Sequence, residues 1–156
     1  MQPMARITFV VPLLALAIGS VSAQSGSLKA SARGGFNYLG NDGEAVGSVS
    51  GEIQLGKKPT ADFMFVLKDP GGATTDGQGE AIIFLKGVRQ SKVTGSKVMV
   101  IGPGTFQGVP CEIEITIIDA KRRNEKDQIR VRVLRSSTGP FDHTAKLPAT
   151  AITIGR

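Results

Sequence analysis

Apolar and polar residues alternate along most of this chain, and clusters of Gly, Pro, Asn and Asp interrupt the alternation. Phe63, Phe65 and Leu67, for example, point to one side of an extended segment, and a period of two is typical of a β-strand. The most polar stretch, 119–128, has no apolar stripe and therefore favours a loop over a helix. The pattern predicts eight strands and an irregular segment over 136–148. The predicted strands cover 35–39, 45–55, 61–68, 80–86, 97–101, 107–118, 128–135 and 149–154.

Short strands separated by turn signals indicate an all-β protein. The expected architecture is a single antiparallel β-sandwich or partly closed barrel of about eight short strands. The pattern alone does not distinguish the sandwich from the barrel.

The segments 112–118 and 128–134 give the most specific structural prediction, because a charged loop joins two strictly alternating runs. They are expected to pair as an antiparallel hairpin with one apolar face, and a slip of one residue would turn that face into water. On the other face, Glu114 is expected opposite Arg132, with Arg130 near Thr116. The expected buried pairs are Ile113 with Val133, Ile115 with Val131, and Ile117 with Ile129.

The first 23 residues have the features of a secretory signal peptide: Arg6 near the amino terminus, an apolar run over 9–18 and small residues at Val21 and Ala23. The run is too short to span a bilayer. The expected organisation is a signal peptide over 1–23, a flexible amino-terminal segment over 24–33, part of which could be a strand, and a β domain over 34–156. The expected location is secreted or periplasmic, with no transmembrane segment after signal removal.

Composition narrows the expected partners. The chain has 19 Lys and Arg against 13 Asp and Glu, a formal charge of +6. A modest basic excess favours anionic surfaces, although it also serves solubility. Nucleic acid is not an expected partner, because the basic residues lack interleaved aromatic rings.

Cys111 is the only cysteine, so no intramolecular disulfide is expected. It shares a predicted strand face with Ile113, which favours a buried, inert thiol over a nucleophile or an intermolecular bridge.

Residues that could carry catalysis are few. His143 is the only histidine, and Asp142 is its neighbour, but no serine lies in a Gly-x-Ser-x-Gly segment that would complete a triad. One His with one distant Cys has no metal-ligand spacing. Glu112 and Glu114 share a face and could form a glycosidase pair, but Arg130 and Arg132 are expected to neutralise them. The sequence therefore predicts no catalytic, cofactor-binding or metal-binding residue and no cofactor.

The densest positive cluster is the alternative candidate site. It could grip an anionic polysaccharide or a cell-envelope component, or it could be a solvated hairpin tip. The candidate anionic-ligand patch consists of Lys121, Arg122, Arg123, Lys126, Arg130 and Arg132.

The order of these features resembles a known family. Gly34-Gly35-Phe36, the aromatic strand at 61–65, the glycine-led strand at 79–84 and the final strand at 151–154 are similar to those of the small secreted bacterial β-domains called post-COAP domains. A strand running into Ile118-Asp119 and a polar loop reaching Asp127 before Gln128-Ile129-Arg130-Val131 complete the resemblance, which spans roughly 34–154. The chain departs from the family by carrying a charged loop over 120–126. The resemblance implies an exported β-domain with no established activity.

The sequence as a whole predicts a secreted, non-enzymatic β-domain that binds a surface, a partner or an anionic polymer. One alternative is a hydrolase that uses loop carboxylates. The other is a structural component of an envelope or extracellular matrix.

Overall fold

The computed structural model describes residues 27–40, 43–68, 80–120 and 125–155. The expected signal peptide lies outside these residues. Every regular element in the described part of the chain is a β-strand, which confirms the all-β prediction. The strands are β1 (Leu28–Gly40), β2 (Gly43–Leu55), β3 (Thr60–Lys68), β4 (Glu80–Leu85), β5 (Gln90–Thr94), β6 (Lys97–Phe106), β7 (Val109–Ile118), β8 (Asp127–Arg135), β9 (Phe141–Leu147) and β10 (Ile152–Gly155).

All the strand pairs are antiparallel, and the sheet order is β10-β1-β2-β3-β4-β6-β7-β8-β9, with β5 also paired to β6. Strands β4 and β5 both run antiparallel to β6, so they are two halves of one interrupted strand. Strands β9 and β10 also share a direction, because β9 pairs with β8 and β10 pairs with β1. The ten strands therefore fill eight positions of an up-and-down meander that is nearly closed as a barrel.

Closure occurs through the interrupted strand β9–β10. The amide of Arg33 in β1 donates to the carbonyl of Ala151 at 2.9 Å, and β10 continues along β1 from there. Between this point and the β1–β2 turn, no strand pairing joins β1 to β9 in the described part of the chain. We call this the β1–β9 seam, and we call the end of the barrel with the β1–β2 turn its upper end.

Side chains rather than backbone hydrogen bonds fill the seam. The rings of Phe36 and Tyr38 from β1 lie 6.1 Å and 5.3 Å from the imidazole of His143 in β9. Phe65 from β3 and Phe141 from β9 lie 5.9 Å and 6.4 Å from the same imidazole. The upper end of the barrel therefore contains an aromatic cluster.

Every second side chain of a strand points into the barrel, and these inward side chains are mainly apolar, so the interior is an apolar core. Phe63 and Phe65 on β3 and Ile83 on β4 are among its largest fully buried side chains. The β7–β8 hairpin has the predicted register: Ile113, Ile115 and Ile117 pair with Val133, Val131 and Ile129, and all six are buried. Its outward pairs Glu114 with Arg132 and Thr116 with Arg130 are also confirmed.

Several details of the strand prediction are wrong. The segment 136–148, expected to be irregular, contains β9, and β5 was not predicted. Gly102-Pro103-Gly104 does not end β6, since the strand continues to Phe106. There the chain packs too closely for side chains, because a Cβ at Gly102 or Gly104 would lie 1.9 Å from the carbonyl oxygen of Gly87 or Phe84. Finally, β1 begins at Leu28, so that part of 24–33 is a strand, with Ala30 and Ala32 buried.

Candidate anion-binding face

The outward side chains of β6, β7, β8 and β9 form three rows across the sheet, which the register defines. The lower row is Lys97, Ile118, Gln128 and Lys146. The middle row is Met99, Thr116, Arg130 and Thr144. The upper row is Ile101, Glu114, Arg132 and Asp142. The lower row lies beside the β7–β8 loop.

Carboxylates neutralise the arginines at the upper row. Arg130 donates to both oxygens of Asp142, from Nε to Oδ1 at 2.9 Å and from Nη2 to Oδ2 at 2.6 Å. Arg132 lies 3.3 Å from Glu114 and 3.6 Å from Asp142. The hydrogen bond from Arg130 is the main reason that the pKa of Asp142 lies below its usual value, and it raises the pKa of Arg130 in turn.

Glu112 is neutralised in the same way. Arg89 lies 3.1 Å from one of its oxygens and Arg135 lies 3.8 Å from the other. Glu114 is therefore paired with Arg132 as expected, whereas Glu112 pairs with Arg89 and Arg135 rather than with Arg130 or Arg132. Each such surface pair contributes about 0–1 kcal/mol.

The lower row differs from the upper row in how its cations are paired. Lys97 and Lys146 are exposed, and among the described residues no carboxylate lies within ion-pair distance of either. Lys92, opposite Met99 on β5, and Lys126, just before β8, are exposed cations of the same kind. Asp119 and Glu125, which flank the loop, already interact with other groups. Exposed cations with no described carboxylate within ion-pair distance therefore lie on and beside the lower half of this face.

A shallow depression separates the lower and middle rows. It encloses about 210 Å³, and its lining combines two cations with hydroxyl and amide groups. Arg130 lies at the border of the depression, and its two hydrogen bonds to Asp142 fix the position of the guanidinium before any ligand binds. The lining residues are Lys97, Thr116, Ile118, Gln128, Arg130 and Thr144.

The predicted patch is only partly brought together. Lys121, Arg122 and Arg123 lie outside the described residues. Lys126 is exposed, whereas Arg130 and Arg132 lie on the face but are paired with carboxylates. Lys97 and Lys146 were not among the predicted site residues, because their place beside Arg130 depends on the pairing of β6 and β9 with the predicted hairpin. The signal for β9 was the alternation of Phe141, His143, Ala145 and Leu147.

His143 and Asp142 cannot act together as the base and orienting acid of a hydrolase. They point to opposite faces of β9: Asp142 lies outside on Arg130, whereas His143 faces the aromatic cluster. Burial lowers the pKa of His143 although Asp142 opposes the shift, so the neutral imidazole is favoured. Its Nε2 atom is buried and has no hydrogen-bond partner among the described residues.

Cys111 lies half-buried near the upper end of β7, and burial is the main reason that the pKa of its thiol is raised. A protonated thiol is a poor nucleophile, which agrees with the structural role expected for it.

Asp127 is a structural carboxylate. It is 2% exposed, and its two oxygens accept hydrogen bonds from the backbone amides of Ala120 at 3.1 Å and Ile152 at 2.9 Å. No cluster of three or more His, Cys, Asp or Glu side chains suited to a metal occurs within the described ranges.

No family model, curated protein or solved structure matches this chain. The resemblance to post-COAP domains therefore stays a prediction. Within the described residues no helix is long and apolar enough to cross a membrane.

Proposed function

We propose that this protein is an exported, non-enzymatic binding module that holds an anionic polymer on the lower half of the face formed by β6 to β9. The observation that carries the proposal is the lower row: among the described residues Lys97 and Lys146 lack carboxylate partners, whereas Arg130 and Arg132 in the rows above are paired. Export is inferred from the signal-peptide features of residues 1–23.

The geometry favours an extended ligand with several negative groups. Lys97 and Lys146 are separated by three strand spacings, about 14 Å, so that one chain lying across the strands reaches both. Between them, Arg130 and the hydroxyls of Thr116 and Thr144 line a depression that suits one sulfate, phosphate or carboxylate group. Thr116 is only 8% exposed, so its hydroxyl has a fixed position in the floor.

The first test compares the full chain with the variant Lys97→Gln/Lys146→Gln in titrations with dextran sulfate and polygalacturonate, with neutral dextran as the reference polymer. We expect the variant to bind the anionic polymers about tenfold more weakly, which corresponds to ~1.4 kcal/mol. The affinity of the unchanged protein should also fall as salt is added.

The matched control is Lys57→Gln/Lys58→Gln, which removes the same charge from the exposed β2–β3 turn. The control should bind almost as tightly as the unchanged protein. Equal losses in both variants would mean that net charge rather than this face attracts the polymer, and no loss in either would overturn the proposal.

A further inference from the structure

A second surface, on β3 and β4, carries apolar side chains on the outside of the barrel. Met64 pairs with Phe84 and Val66 pairs with Ile82 across these strands, and all four point outward and are half-buried. Val46 lies on the same face of the adjoining strand β2 and is 54% exposed. We call these five residues the apolar face. Four of its side chains form two neighbouring cross-strand pairs, and Val46 lies two residues from Ser48, the partner of Val66, so the five form one patch rather than scattered exposed residues.

Four charged residues mark the corners of the apolar face. At its lower end the ammonium of Lys86 lies 3.1 Å from Asp62, and at its upper end Lys68 pairs with Glu80 in the register. Strand β3 therefore runs from a negative to a positive corner, and β4 runs from a negative corner at Glu80 to a positive one at Lys86. Like charges lie diagonally across the patch.

This diagonal arrangement is self-complementary. If a second copy is placed face to face and related by a two-fold axis in the plane of the sheet, every corner meets a charge of opposite sign. When the axis runs across the strands, Lys68 meets Asp62 of the second copy and Glu80 meets its Lys86. When the axis runs along the strands, Lys68 meets Glu80 and Asp62 meets Lys86. A two-fold interface uses the same patch on both copies, and this patch fits itself in either orientation.

We infer that the apolar face of β3 and β4 is the contact surface of a homodimer of this chain. The apolar side chains form its centre and the four charges form its rim, which is the usual arrangement of a specific interface. From Asp62 to Lys68 the patch is about 20 Å long, and strands β2 to β4 make it about 10 Å wide. An interface this small belongs to the class below about 1,200 Å², so the dimer is expected to be weak and reversible.

The sharpest test uses two charge-reversal variants. Lys68→Glu/Lys86→Glu makes all four corners negative, and Asp62→Lys/Glu80→Lys makes all four positive. We expect each variant alone to sediment as a monomer at concentrations at which the unchanged chain dimerises, in a series up to about 0.5 mM. An equimolar mixture of the two should dimerise again at least as strongly as the unchanged chain, since unlike corners then meet.

A second variant tests the centre of the patch without changing charge. Val66→Thr/Ile82→Thr keeps β-branched side chains on both strands, so the fold should survive, as circular dichroism would verify. It should weaken dimerisation at least tenfold. Each experiment is run on the full chain and on a chain that begins at Gln24, because association that disappears without residues 1–23 would belong to the apolar leader.

Besides association that depends on residues 1–23, three outcomes would overturn the inference. The unchanged chain could stay monomeric throughout the concentration series. It could dimerise equally well with all corners of one sign. It could stay monomeric and bind neutral phosphatidylcholine vesicles through Val66 and Ile82, which would make the patch a lipid contact. None of these outcomes depends on the anionic polymer, so the dimer can be disproved without affecting the proposed function, and the proposed function without affecting the dimer.

Discussion

Asp127 shows how one buried carboxylate can stabilise a barrel that is not closed by a complete strand ladder. Its two oxygens hold the amide of Ala120, at the start of the β7–β8 loop, and that of Ile152, where β10 begins. The hydrogen bond to Ile152 is buried and the one to Ala120 is partly buried, so losing the acceptor leaves at least one backbone donor without a ready replacement. The side chain thereby connects the last strand to β8, with which β10 does not pair.

We expect Asp127→Ala to lower the free energy of unfolding by about 2–4 kcal/mol, because two backbone donors lose their acceptor. Asp127→Asn should cost less, since one amide oxygen still accepts a hydrogen bond. Urea unfolding followed by circular dichroism measures both changes. The control Asp62→Asn breaks an exposed pair and should change stability little. Similar effects of Asp127→Ala and the control would contradict the assigned role.

At the scale of elements, alternation predicted the β7–β8 hairpin because large β-branched residues occupy three consecutive inward positions on each strand, 113–117 and 129–133. The same reasoning failed for β9, where His143 and Ala145 occupy inward positions that the hairpin gives to Ile and Val. It failed again at β5, whose five residues are all exposed and therefore carry no burial pattern. These two strands flank β6 to β8, so the candidate site was predicted only where its arginines lie on the hairpin itself.

The β1–β9 seam should respond to pH through His143. Burial in the aromatic cluster lowers the pKa of the folded imidazole below the ordinary value of 6.5. Asp142 favours the charged form but points outward to Arg130, and Tyr38 donates its hydroxyl to the carbonyl of Lys68. The unfolded chain therefore binds a proton at a higher pH than the folded chain. The stabilising effect of the neutral ring is complete above about pH 6.5 and is lost as the pH falls through the folded pKa.

We expect the melting temperature of the unchanged protein to fall between pH 7.5 and pH 5, and the fall to be smaller in His143→Phe and His143→Leu. Both replacements are used because either one could alter the packing of the cluster. A packing change shifts the melting temperature at both pH values, whereas loss of the titrating imidazole changes the difference between the two values. Scanning calorimetry at the two pH values gives the comparison. If the unchanged protein and both variants had the same pH dependence, protonation of His143 would not weaken the seam.

At the scale of the whole molecule, the two proposed surfaces lie far apart. Strand β3 occupies the third of the eight positions around the barrel and β8 occupies the seventh, so the apolar face and the centre of the anion-binding face point in opposite directions. A dimer joined through β3 and β4 would leave both anion-binding faces free. One polymer molecule could then be held by the two anion-binding faces of a dimer, with no new contact between the protein and the polymer.

Two linked faces should bind a long polymer more tightly than one face, because the second contact forms at the high effective concentration set by the first. We expect Val66→Thr/Ile82→Thr, which leaves the charge unchanged, to weaken binding to long dextran sulfate at least tenfold. Its binding to an oligosaccharide too short to bridge two faces should not change. Biolayer interferometry with immobilised polymer and with immobilised oligosaccharide measures both. A loss for the oligosaccharide as well would mean that the substitutions disturb the face formed by β6 to β9, and unchanged binding to the long polymer would mean that each copy acts alone.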